Sequence, residues 1–152
     1  MEPMEGALRE LKRRSEELLR VCARLKEVRR GLRPLARRHG WARELRRRVV
    51  EAERLKRLAA FTLTAGGARI RQRALGDEAW LEILADGQRI YVGDRGMWVV
   101  RPKKASRRLE ALPLGAEGRR EVMEALAAKL EELGRAAAEA KEALAAAELL
   151  MS

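Results

Sequence analysis

Apolar side chains recur through the first third of the chain at alternating spacings of three and four. Met4, Leu11, Leu18, Leu25 and Leu32 form one seven-residue series, and Val21, Val28, Leu35, Ala42 and Val49 form a second. This alternation is the seam of a coiled-coil helix, whose apolar stripe must be buried. Arg14 interrupts the seam, and "RRGLRP" kinks or breaks it, because Pro34 cannot donate to the preceding turn. The pattern predicts one helix over roughly 4–31 and another over 34–60, kinked near Pro34, with Gly40 a weak point in the second. Arg38 and Lys56 fall within the apolar arc and must snorkel or mark a less regular helix.

The last third keeps the 3–4 alternation without a miss, through Met123, Leu126, Leu130, Leu133, Ala137, Ala140, Leu144, Ala147 and Met151. A long coiled-coil helix over 117–151 is predicted. Its seam changes from leucine to alanine, which lets a partner helix approach closely but buries less area per turn. That partner is the N-terminal helices, another subunit, or both. Leu126, Leu130, Leu133, Ala137, Ala140 and Leu144 are the expected oligomer seam, for a homodimer or a second helical protein.

Between the helices the period drops to two. In "ARIRQRALGDEAWLEILADGQRIYV", residues 68–92, arginines and then large apolar residues take alternate positions. Gly66-Gly67, Gly76-Asp77, Asp86-Gly87 and Asp94-Arg95 each separate β-prone runs, and glycine-containing pairs favour two-residue hairpins. Fixing the turns fixes the register. Ile70 pairs with Ile83, Ile83 with Ile90, Ile90 with Val99, Leu81 with Val92 and Val92 with Met97. Phe61 and Leu63 join them, so one face of a five-stranded antiparallel meander over 61–101 is aliphatic apart from Gln72. The helices are its available cover. The other face collects Arg69, Arg71 and Arg73, then Trp80, Glu82 and Leu84, then Arg89 and Tyr91, then Trp98 and Val100. "RPKKASRRLEALPLG" reads as a connecting loop over 102–116.

The expected architecture is α+β in a single domain over 1–152: basic helices over 4–60, the meander, the loop and the C-terminal helix. Long helices joined through β-hairpins are similar in arrangement to prefoldin-type chaperone subunits. The likeness is one of topology and implies an assembly or chaperone-like role.

Charge changes the picture. Lys and Arg number 34 against 23 Asp and Glu, a net +11, and the excess is uneven. Residues 1–60 carry 19 basic and 9 acidic side chains, 61–115 carry 10 and 6, and 116–152 carry 5 and 8. The absence of asparagine and the abundance of arginine are thermophile-like, but composition bias does not leave one end acidic. A basic field over the first two thirds points to an anionic partner, nucleic acid or an acidic protein. The N-terminus has no signal-like apolar run and nothing approaches a membrane span, so a cytoplasmic location without a membrane partner is expected.

Catalytic signals are missing. His39 is the only histidine and Cys22 the only cysteine, too few for a zinc site, and no phosphate-binding glycine loop occurs. Asp77, Asp86 and Asp94 are turn formers. No cofactor, metal or enzymatic activity is expected. The candidate binding residues fall on two surfaces. Arg43, Arg47 and Arg54, flanked by Arg46 and Arg57, line the polar side of the second helix and can follow a phosphate backbone. Arg69, Arg71, Arg73 and Arg89 surround Trp80, Tyr91 and Trp98 on the sheet, where flat rings and guanidinium groups suit unstacked bases. The leading expectation is a non-catalytic nucleic-acid-binding or nucleic-acid-machinery accessory protein. The alternative is a coiled-coil adaptor or prefoldin-like assembly protein docking an acidic partner.

Overall fold

The computed structural model describes residues 3–152. Helix α1 (Pro3–Ala36) and helix α2 (Gly40–Glu53) lead through a 3-10 segment (Arg54–Ala59) into the sheet. Strands β1 (Phe61–Ala65), β2 (Ala68–Leu75), β3 (Glu78–Ala85), β4 (Gln88–Gly93), β5 (Gly96–Val99) and β6 (Arg107–Leu109) follow, and helix α3 (Ala116–Met151) ends the chain. Each strand pairs antiparallel with its sequence neighbour, giving an α+β protein whose sheet is one six-stranded meander.

Two boundaries differ from those expected. Helix α1 runs through Pro34, and the break comes later, at 37–39. Pro34 lies in the last turn, where its ring costs little helix, and Leu32 just before it is fully buried and holds that turn down. The chain then turns through amides of Arg38 and His39 that both donate to the Leu35 carbonyl, 3.1 and 3.0 Å away. Gly40 opens the next helix instead of weakening its middle. The expected helix over 34–60 is therefore α2 plus the tighter 3-10 segment. Arg38 lies in the break and Lys56 in that segment, so the irregularity they signalled is where they sit.

The 102–116 stretch is not all loop. Residues 107–109 add β6, with Leu109 opposite Met97 and Arg108 opposite Trp98. Leu109 is buried, which extends the aliphatic face of the sheet by one strand.

That face builds the core with the helix seams. Ile70, Leu81, Ile83, Ile90, Val92, Met97 and Val99 are buried with Leu8, Leu11, Leu18, Leu25 and Leu32 of α1 and Leu126, Leu133 and Ala140 of α3. The α3 positions expected to serve an oligomer are consumed here. Leu126, Leu133, Ala137, Ala140 and Leu144 are buried within the chain, Leu130 is partly so, and α3 packs along α1 and against α2. Gln72, the one polar residue on the aliphatic face, is buried and donates from Nε2 to the Ala59 carbonyl at 2.5 Å. The β1–β2 turn meets the start of α3 backbone to backbone. A Cβ on Gly66 would lie 2.1 Å from the Gly118 carbonyl oxygen, and one on Gly118 would lie 2.5 Å from that of Gly66. No helix among the described residues is long and apolar enough to cross a membrane.

Candidate nucleic-acid interface

The second face of the sheet follows from the first by alternation. With the helices packed on the aliphatic side, the opposite side chains are left to solvent. Arg69, Arg71, Arg73 and Arg89 are exposed, and Trp80, Glu82, Tyr91 and Trp98 are half-buried by one another. The register sets them in rows across the strands. Arg71 faces Glu82, Glu82 faces Tyr91, and Tyr91 faces Trp98. Arg73 faces Trp80. Arg69 faces Leu84, and Leu84 faces Arg89.

The rings are held in place. Trp80 and Tyr91 are tilted by 35° with centroids 4.4 Å apart, and such pairs contribute about 0.5–1.5 kcal/mol beyond their buried area. The Trp80 indole N–H donates to Glu82 Oε1 at 2.7 Å, and Arg89 Nη2 donates to the same oxygen at 2.7 Å. The Arg89 guanidinium holds the Glu82 carboxyl below the usual carboxylate range; burial opposes this and the Trp80 N–H assists it. Glu82 thus fixes a ring on one side and an arginine on the other. Leu84 and Val100 remain 48% and 43% exposed on the same face.

Sequence reasoning missed Arg108, which β6 sets opposite Trp98. The one signal available was the single apolar residue Leu109 after two arginines, masked by the Pro, Lys and Ser residues before them.

The basic helix is a different surface. α2 packs on α1 and α3, on the helix side of the core, so the structure does not bring its arginines to the sheet face. Part of the stripe is used internally. Arg43 Nη1 donates to the Ala36 carbonyl at 3.2 Å and closes the end of α1, and Arg47 pairs with Glu44. Arg54 and Arg57 are exposed, but on the 3-10 segment, so they do not continue the α-helical line of Arg43 and Arg47. Arg46 lines a depression of about 330 Å³ with Arg29, Val50, Glu53, Arg54 and Lys56, and its Nε is buried without a partner. Buried Glu53 is already matched there, by Arg29 Nε at 2.7 Å and Lys56 Nζ at 3.7 Å.

His39 stacks on Trp41 at the start of α2, with centroids 5.9 Å apart. Cys22 is buried beside the Ala52 carbonyl, and burial pushes its thiol up to about 11, which keeps it protonated and unreactive. Among the described residues no group of three or more His, Cys, Asp or Glu is placed to hold a metal ion. Comparison of the chain with protein-family models, with curated proteins and with solved structures finds no match.

Proposed function

We propose that this chain is a non-catalytic nucleic-acid-binding protein that takes single-stranded DNA or RNA on the open face of its sheet. The observation that supports this best is the placement of three half-exposed rings, Trp80, Tyr91 and Trp98, among four exposed arginines, on a face that no helix of the described residues covers. Unstacked bases gain about 1–3 kcal/mol each on such rings, and every base has a π-face, so the reading implies little sequence preference. Arg69, Arg71, Arg73 and Arg89 supply phosphate contacts. Arg43, Arg46, Arg47, Arg54 and Arg57 add to the positive field from the far side and speed encounter more than they grip.

The test is a titration of protein freed of nucleic acid with labelled single- and double-stranded oligonucleotides, reading anisotropy and tryptophan emission at several salt concentrations. Binding that prefers single strands, weakens steeply with salt and quenches emission, with the quench reduced in Trp80→Ala, is the expected result. Absence of binding at low salt overturns the reading. A second reading is favoured by Leu84 and Val100, exposed aliphatic side chains that offer bases no stacking surface. In it the same face of an adaptor or prefoldin-like assembly protein docks an acidic protein segment, and capture of such a segment without oligonucleotide affinity is its signature.

A further inference from the structure

We propose that the helix layer carries a discrete site for a phosphoryl dianion, either the charged end of a phosphate monoester or free phosphate. It is the depression between α1 and the end of α2, on the helix side of the core and away from the rings. The inference does not rest on the nucleic-acid reading of the sheet face.

Helical spacing brings the cations together. Arg46, Val50 and Glu53 stand four and three residues apart and so share one face of α2, with Arg54 at the step into the 3-10 segment. Arg29 reaches the same place from α1, against which α2 packs, and Lys56 from the 3-10 segment. These six described residues line about 330 Å³ of space, and Val50 is the one apolar residue among them. Pockets for whole organic ligands are lined mostly by apolar and aromatic side chains, so this one suits a small charged group. Four cations surround a single carboxylate.

That carboxylate is spent on positioning. Glu53 is buried, and a buried carboxylate must be paired. Arg29 Nε meets one of its oxygens at 2.7 Å, and Lys56 Nζ stands 3.7 Å from the other. Held through Nε, the Arg29 guanidinium is oriented while its Nη groups make no hydrogen bond to another described residue. Arg46 and Arg54 form no ion pair among the described residues, and Arg46 Nε is buried without a hydrogen-bond partner. A guanidinium N–H kept from any acceptor is costly, and turning that edge onto an oxyanion in the depression satisfies it. The arginine fork places two parallel N–H bonds on two oxygens of one phosphoryl group, and Lys56 adds a point charge.

A helix C-terminus ordinarily repels anions, but α2 runs on into the 3-10 segment and the Arg54 amide donates back to the Val50 and Ala52 carbonyls. The cation excess belongs to this depression and not to α2 as a whole. Arg48, on the same helix, lines another with Glu51, Glu139 and Glu142, whose carboxylates outnumber it.

Phosphorus NMR titrations at constant ionic strength test the site, with methyl phosphate and inorganic phosphate as separate probes. A saturable shift is expected with at least one of them. Arg46→Gln and Arg54→Gln have no native ion pair to lose, and circular dichroism verifies their folding. Each should weaken binding by about tenfold, whereas Arg48→Gln, which removes the same charge from the same helix, leaves it unchanged. Tighter binding of methyl phosphate assigns the site to an esterified phosphate, and tighter binding of inorganic phosphate assigns it to the free ion. Shifts that do not saturate with either probe overturn the proposal, as does undiminished binding in Arg46→Gln. A loss in Arg48→Gln equal to that in Arg46→Gln also overturns it, by reducing the site to general charge. Oligonucleotide binding on the sheet is read separately by tryptophan emission, so none of these failures touches that reading.

Discussion

The same substitution made at two points of α3 should change stability in opposite directions. Gly134 sits well inside the helix, and a Cβ there would meet only Arg14 Nη1 at 3.6 Å, an ordinary contact with the end of a flexible side chain. Alanine in place of glycine in a helix interior gains about 1 kcal/mol, so Gly134→Ala is expected to stabilise by about 0.5–1 kcal/mol. Gly118 is also helical, in the first turn, where the propensity gain is smaller. Its Cβ would come within 2.5 Å of the Gly66 carbonyl oxygen, in a backbone turn that cannot rotate away as a side chain would. Overpacking costs about 1–3 kcal/mol, so Gly118→Ala should lose about 1–2 kcal/mol net. For a domain of this size that separates the two melting temperatures by about 4–10 °C. Thermal and urea unfolding followed by helical circular dichroism measures both. A Gly118→Ala protein as stable as the unmodified one would refute the close crossing of the β1–β2 turn over α3, and with it the placement of Arg69 beside that turn.

Leu126→Ala, at a fully buried position of the core, should cost about 2–5 kcal/mol in urea unfolding; a cost under 1 kcal/mol would mean that the α3 seam is not enclosed within the chain. Glu82→Gln removes the carboxylate from the ring row and should tighten oligonucleotide binding severalfold in anisotropy titrations, whereas weaker binding would show that fixing Arg89 matters more than the charge. Glu10 is held at about 2 by its hydrogen bond from Arg13, with Arg14 also bonded to it, against an ordinary 4.5. A depressed carboxyl stabilises the fold above its ordinary range and loses that contribution as pH falls toward about 2. Glu10→Gln should therefore flatten the stability–pH curve between pH 4.5 and about 2, as read by urea unfolding in acid buffers; an unchanged curve would contradict the Arg13–Glu10–Arg14 cluster.

The sheet was the most legible part of the chain because its information is local. Gly76-Asp77 and Asp86-Gly87 settle their turns without distant residues, and each settled turn carries the pairings Ile70–Ile83 and Ile83–Ile90 with it. Strand β6 was obscured because its three residues follow a 100–106 connection rich in Pro, Lys and Arg, and its only anchor is Leu109 against Met97. The break after α1 was misplaced by two turn-forming signals six residues apart, Pro34 and Gly40, of which tertiary burial of Leu32 favoured the second. The α3 seam was read correctly as a stripe needing cover, but a stripe does not say which chain covers it. The same limit applied to the arginines: alternation put Arg69 and Trp80 on one face, whereas only the packing order of three helices could show that Arg43 and Arg54 lie on another.

The meander also bears on how the chain reaches this state. Every strand pairs with the one before it, so the sheet can zip up hairpin by hairpin as it is synthesised, with short loops to close. The helix layer is different, since α1 and α3 are separated by the whole sheet and yet form its longest packed seam. Until α3 arrives, the leucines of α1 and the aliphatic strands share an unfinished enclosure. The last helix is therefore the committing event of folding, and a ribosome paused within its codons would hold a sheet with one side of its core still open to the crowd of other chains.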